Sequence, residues 1–138
     1  VLYPVEALHA MLRECDAVVL AMALTEATRN LMGAAEFAAM KRGAFLINVS
    51  RGAVLDEAAF AAAVRSGQLG GGALDVFAQE PLPADNPLWD LPNVLISPHN
   101  TMGTNDHQIK AYQRFVANMQ RYLNGEALLY QVDPVLGY

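Results

Sequence analysis

Cysteine occurs once, at Cys15, so the chain has no disulfide framework and no cysteine-built zinc site, and a reducing cytoplasm is its simplest compartment. Cations are also scarce: nine Lys plus Arg, scattered along the sequence, stand against fourteen Asp plus Glu, a net charge of −5. Phosphate backbones are gripped by clustered cations, so nucleic acid is excluded as the default partner. No apolar stretch approaches the roughly 20 residues of a membrane helix. Even 17–23 is soon stopped by Thr25, Glu26 and Arg29, which makes the chain soluble with no membrane partner. It opens Val1-Leu2-Tyr3-Pro4, without an initiator Met or the basic start of a signal peptide. There is no internal repeat or low-complexity tract. What is plentiful is apolar: 54% of the 138 residues are hydrophobic and 17% charged, enough to bury the core of one compact domain and too apolar for a disordered tail.

Four short apolar runs stand out, at 17–23, 44–49, 72–77 and 94–97. They do not alternate polar with apolar, the pattern of parallel strands covered on both faces. Between them, 5–14 and 34–41 are rich in Ala, Leu, Met and Glu and read as helices. The helix after Val49 is marked best: Asp56 is its N-cap, Leu55 and Phe60 form a staple across it, and Gly67 closes it. A last amphipathic helix begins near Thr104 or Asn105, carries Ile109, Tyr112, Val116, Met119 and Leu123 on one face, and stops at Asn124-Gly125. Strands alternating with helices imply right-handed crossovers and an α/β fold with a doubly wound parallel sheet. Residues 78–93 hold Pro81, Pro83, Pro87 and Pro92, four of the seven prolines, and form an ordered connection at the sheet's carboxyl edge.

Ligands of open parallel sheets bind beyond the carboxyl ends of the strands. There the chain delivers Ser50-Arg51-Gly52 after the second run, Asp75 and then Glu80 at the third, and Pro98-His99-Asn100 after the fourth. Arg51 lies just before a helix N-terminus, where the helix dipole disfavours a cation. Either a nearby acid compensates it in a structural salt bridge, or its planar fork awaits a carboxylate ligand. A single His after a strand is more often structural than catalytic. Paired with Glu80, His99 gains meaning, since a carboxylate in hydrogen-bond reach raises an imidazole's pKa and fixes its tautomer, making a proton donor near neutrality. Asp75 either caps local backbone donors or accepts from a ligand amide.

Other features read as structural. Gly70-Gly71-Gly72 precedes a strand, whereas a phosphate loop follows one and opens a helix, so it reads as a turn. Cys15 has no matched base and reads as a packing thiol. His9 and His107 lack metal-ligand spacing, and no metal is expected. Ser50 is not in a G-x-S-x-G elbow, which argues against a hydrolase. Trp89, Tyr112, Phe115 and Tyr122 read as packing residues rather than base-stacking ones.

Taken in order, Leu24-Thr25-x-x-Thr28-Arg29, then Met40-Lys41-x-Gly43-Ala44-x-Leu46-Ile47-Asn48-Val49-Ser50-Arg51-Gly52, Ala73-Leu74-Asp75-Val76-Phe77-x-x-Glu80-Pro81-Leu82-Pro83, and Asn86-Pro87-Leu88-Trp89 through Pro98-His99 resemble the D-isomer-specific 2-hydroxyacid dehydrogenases. The resemblance runs through nearly the whole chain. It implies that Arg51 holds the substrate carboxylate, that Glu80 orients and charges His99, and that His99 is the acid and base. It further implies that Asp75 binds the nicotinamide carboxamide and that Met22, Ala23, Leu24, Val49, Ser50, Arg51, His99 and Asn100 line the cofactor. The implied reaction is hydride exchange between NAD or NADP and a small 2-keto or 2-hydroxy acid such as glyoxylate, hydroxypyruvate or pyruvate. Met22-Ala23 stands where many members carry a proline, and Asn100-Thr101-Met102 is bulkier than the usual residues after the His. Glu80 abuts Pro81 as the family's Glu does, although Gln79 beside it invites comparison with formate dehydrogenases.

The resemblance covers the second half of a Rossmann dinucleotide-binding domain (1–103) and a C-terminal helix and tail (104–138). The family's Gly-rich fingerprint, which holds the pyrophosphate, has no counterpart here. The chain is therefore expected to be a fragment, inactive alone, whose helix face from Ile109 to Leu123 and tail from Val132 to Tyr138 await the N-terminal part of the same protein or a second copy in a homodimer. The competing expectation is a non-catalytic, dinucleotide-sensing interaction module like the family's corepressor relatives. Arg51, Glu80 and His99 together favour the enzyme.

Overall fold

A computed structural model describes residues 1–101 and 106–135, and the chain divides into two compact units, Val1–His99 and Asn100–Tyr138. In the first unit a short 3-10 turn, Val5–Ala7, leads into α1 (Leu8–Glu14), followed by β1 (Ala17–Leu20), α2 (Ala34–Ala39), β2 (Ala44–Asn48), α3 (Glu57–Arg65), β3 (Leu69–Leu74) and β4 (Val94–Ile96). The strands form one parallel sheet in the order β1-β2-β3-β4. Its register aligns Leu20, Asn48, Leu74 and Ile96 in one row across the carboxyl edge. Whatever follows these four residues is therefore brought to the same rim.

Leu12, Phe37 and Phe60 from the three helices meet Val18, Leu20, Leu46, Leu69 and Leu74 in one core, and the two phenylalanine rings pack edge to face at 6.1 Å. Helix α3 is delimited as its sequence predicts: Asp56 accepts the Ala59 N–H at 2.9 Å, Leu55 and Phe60 are buried, and Gly67 follows the last turn at φ 69°. All three helices contribute to the same core. Val19, Phe45 and Leu95, which point the other way along their strands, are 59%, 48% and 69% exposed.

The glycine triplet also needs correction, because Gly70, Gly71 and Gly72 lie inside β3 rather than in a turn. They are there for close approach and a bulge. A Cβ on Gly72 would stand 2.4 Å from the Leu46 carbonyl oxygen, and one on Gly71, at φ 150°, 2.1 Å from that of Asn93. The β2–β3 register slips beside Gly70, and β3 ends at Leu74 rather than Phe77. The Pro-rich connection contains a 3-10 turn, Pro87–Asp90, whose Trp89 donates its indole N–H to the Pro83 carbonyl at 2.8 Å; the ring is half-exposed rather than packed away.

In the second unit α4 (His107–Leu123) stops at Asn124 and Gly125, the latter at φ 69°. The start expected at Thr104 or Asn105 lies outside the described residues. Asn118 exchanges two hydrogen bonds with Leu129, and Arg114 sits 5.2 Å over the Tyr130 ring, so the following segment folds back on the helix. Ile109, Tyr112, Phe115, Met119 and Leu123 remain exposed.

Candidate active site

Strand β2 ends in a polar residue with no access to solvent, Asn48, and buried polar groups require partners. Its Oδ1 accepts the Ser50 N–H at 3.0 Å and the Ser50 hydroxyl at 2.8 Å, while its Nδ2 donates to the Arg51 carbonyl at 3.2 Å. The backbone from Val49 to Arg51 is thus folded around one amide. Arg51 leaves this turn exposed, its Nη1 donating to the Ser50 carbonyl at 2.7 Å. Among the described residues no carboxylate lies within ion-pair distance of it, so the salt-bridge alternative finds no partner.

Directly after β3 comes Asp75, 2% exposed, which accepts the Ser97 hydroxyl at 2.5 Å. The chain then turns so that Glu80 Oε1 accepts the Phe77 N–H at 2.9 Å while Oε2 lies 2.8 Å from His99 Nδ1. The hydrogen bond from His99 is the main cause that holds the Glu80 carboxyl below its ordinary range; the Phe77 N–H and the positive charge of Arg51 act the same way. An ionised carboxylate only accepts, so Nδ1 carries the proton and Nε2 is left for other work. His99 itself holds φ 53°, left-handed backbone uncommon for a side-chain-bearing residue.

Glu80 and His99 open onto a cavity of about 550 Å³ whose other walls are mainly apolar, among them Phe77, Leu82, Trp89 and Pro98. Arg51 does not line it; it follows the neighbouring strand end and acts on Glu80 through its charge. At the end of β1, Met22 and Leu24 pack partly on the core, and Ala23 is exposed, its carbonyl tied to the Thr28 hydroxyl at 2.8 Å. Val49 is partly exposed, Ser50 is buried, and Asn100 belongs to the second unit. Asn48, Ser97 and Glu57, which accepts the Ala78 N–H at 2.6 Å, were given no role from sequence. A lone Asn ending an apolar run was the one legible signal among them. His9 pairs with Glu36 at 2.9 Å. Among the described residues no cluster of His, Cys, Asp and Glu could hold a metal ion, and no helix is long and apolar enough to cross a membrane.

Known proteins are similar to this chain in sequence and fold. The family described as D-isomer specific 2-hydroxyacid dehydrogenase, NAD binding domain, matches residues 2–101. Glyoxylate/hydroxypyruvate reductase B of Citrobacter koseri is 43% identical over 127 residues, 92% of this chain but 39% of the relative. The chain thus spans about two fifths of the curated relatives it matches. A D-isomer specific 2-hydroxyacid dehydrogenase from Xanthobacter autotrophicus Py2, solved with NADPH and MES, superposes with a TM-score of 0.90 at 46% identity, covering 96% of this chain and 54% of that one. An NADPH-dependent glyoxylate/hydroxypyruvate reductase from Sinorhizobium meliloti, solved with NADP and sulfate, gives 0.89 at 34% identity, covering 99% and 44%. The chain, with its parallel Rossmann-like sheet, belongs to the D-isomer specific 2-hydroxyacid dehydrogenase family.

Proposed function

We propose that this chain is the proton-transfer and carboxylate-binding side of an NAD(P)-dependent oxidoreductase that interconverts small 2-keto and 2-hydroxy acids, such as glyoxylate, hydroxypyruvate or pyruvate. The observation that carries it is the 2.8 Å Glu80–His99 pair, set on the same rim as an Arg51 without a carboxylate partner among the described residues. Arg51 offers a two-pronged donor to the substrate carboxylate. His99 Nε2 passes a proton to the keto oxygen, and Glu80 keeps the ring oriented.

The rim suits a nicotinamide: Asp75 is a buried carboxylate acceptor for an amide, and the cavity beside His99 is mostly apolar, as a flat ring requires. Bound NAD or NADP would supply the hydride. Asp75 would take the carboxamide, with Met22, Ala23, Leu24, Val49, Ser50, Arg51 and His99 along the rest of the contact. The pyrophosphate would be held by residues outside this chain, in the N-terminal part of the same protein. Cytoplasmic residence and a homodimer complete the proposal, supported by the single cysteine and by the exposed apolar residues of α4. The test is oxidation of NADH and NADPH by the chain at its natural length, with glyoxylate, hydroxypyruvate or pyruvate as acceptor. Turnover is expected; cofactor binding without turnover on any of them would transfer the chain to the dinucleotide-sensing class.

A further inference from the structure

Glu57 is the first residue of α3, and nothing in the proposed reaction uses it. Its carboxylate is not the cap of that helix, because Asp56 fills that place by accepting the Ala59 N–H. Instead Glu57 Oε1 accepts the Ala78 N–H at 2.6 Å, 21 residues away. Gly52, in the turn leading into α3, presses on the same stretch: a Cβ there would lie 1.9 Å from the Phe77 carbonyl carbon and 2.3 Å from the Ala78 nitrogen. That stretch is the one that presents Glu80, since the Phe77 N–H holds Glu80 Oε1 while Oε2 meets His99.

From these contacts we infer that Glu57 is a positioning residue of the site: with Gly52 as the stop behind it, it fixes the loop 77–80 against the segment carrying Arg51. The inference rests on the roles proposed above for Arg51, Glu80 and His99. Gly52 directly follows Arg51, so one clamp sets the spacing between the guanidinium and the Glu80–His99 pair. Ala78 is exposed, and water can replace Glu57 as its acceptor. Loss of Glu57 therefore loosens geometry more than it lowers stability.

The test is the titration of the Glu80 carboxyl by NMR in this chain, comparing Glu57→Ala with Glu57→Gln, whose amide oxygen can still accept from Ala78. Circular dichroism checks that both variants fold. In Glu57→Ala the Glu80 midpoint is expected to rise by at least about half a unit as its hydrogen bonds loosen, while in Glu57→Gln it stays near wild type. Removal of a negative charge alone has the opposite sign and would lower the midpoint in both. No rise in Glu57→Ala, or an equal rise in Glu57→Gln, overturns the assignment. At natural length, kcat should fall about tenfold in Glu57→Ala and be retained in Glu57→Gln, with KM for the keto acid little changed, and an unchanged kcat in Glu57→Ala also overturns it. If wild type itself shows no turnover, the dehydrogenase reading fails while the titration still decides the clamp.

Discussion

Replacing Asn48 by Leu keeps most of the side chain's volume and removes every hydrogen bond it makes. Three are lost: from the Ser50 N–H, from the Ser50 hydroxyl and to the Arg51 carbonyl. Ser50 is 5% exposed, so water cannot reach its two groups without the turn opening, whereas the exposed Arg51 has solvent close by. Leaving two buried donors unsatisfied costs about 1–3 kcal/mol each, against which burying the apolar replacement returns about 1–2 kcal/mol. Taken at the middle of these ranges, the net is about 2–3 kcal/mol. With a urea dependence near 2 kcal/mol per molar for a chain of this size, the midpoint should fall by about 1–1.5 M with its slope unchanged. Urea denaturation followed by circular dichroism measures this directly. A shift below about 0.3 M would refute the reasoning that the amide of Asn48 is what folds the turn carrying Arg51.

Arg51→Lys, tested at natural length, is expected to raise KM for the keto acid at least tenfold through loss of the bidentate fork, and an unchanged KM would remove the carboxylate role. Because the His99 hydrogen bond holds Glu80 below its ordinary value, Glu80 contributes stability that is present above the ordinary carboxylate range and lost as pH falls through its folded value. Glu80→Gln should therefore flatten the acid limb of a stability-versus-pH curve, and a curve identical to wild type would count against the pairing. Gly72→Ala would drive a Cβ to 2.4 Å from the Leu46 carbonyl oxygen and 2.9 Å from the Phe60 ring, so thermal melting should show a loss of more than about 3 kcal/mol. Gly43→Ala meets open space, and its φ of 80° should cost only about 1 kcal/mol.

The fold was legible where local chemistry and tertiary position agree. The α3 cap, staple and terminating glycine are local signals, and the structure keeps all three. The glycines of β3 misled for a tertiary reason: glycine opposes a strand locally, but here neighbouring carbonyls and the Phe60 ring leave no room for a Cβ. Which strand residues the helices of this chain cover, and that Val19, Phe45 and Leu95 are left exposed within it, is not legible from an uninterrupted apolar run. Arg51, Glu80 and His99 could be named from charge placed after strands, and the row from Asn48 to Leu74 to Ile96 explains why they reach one rim. The contact of Glu57 with Ala78 spans separate crossovers and leaves no spacing pattern to read.

In the proposed site a guanidinium and a carboxylate-oriented imidazole act on the two ends of one small acid. A crystal structure of the natural-length protein with reduced cofactor and oxamate measures this most directly. The oxamate carboxylate is expected to be forked by Arg51, and its carbonyl oxygen to lie about 3 Å from His99 Nε2, with Glu80 still on Nδ1. Oxamate bound with either Arg51 or His99 turned away from it would rule out these roles.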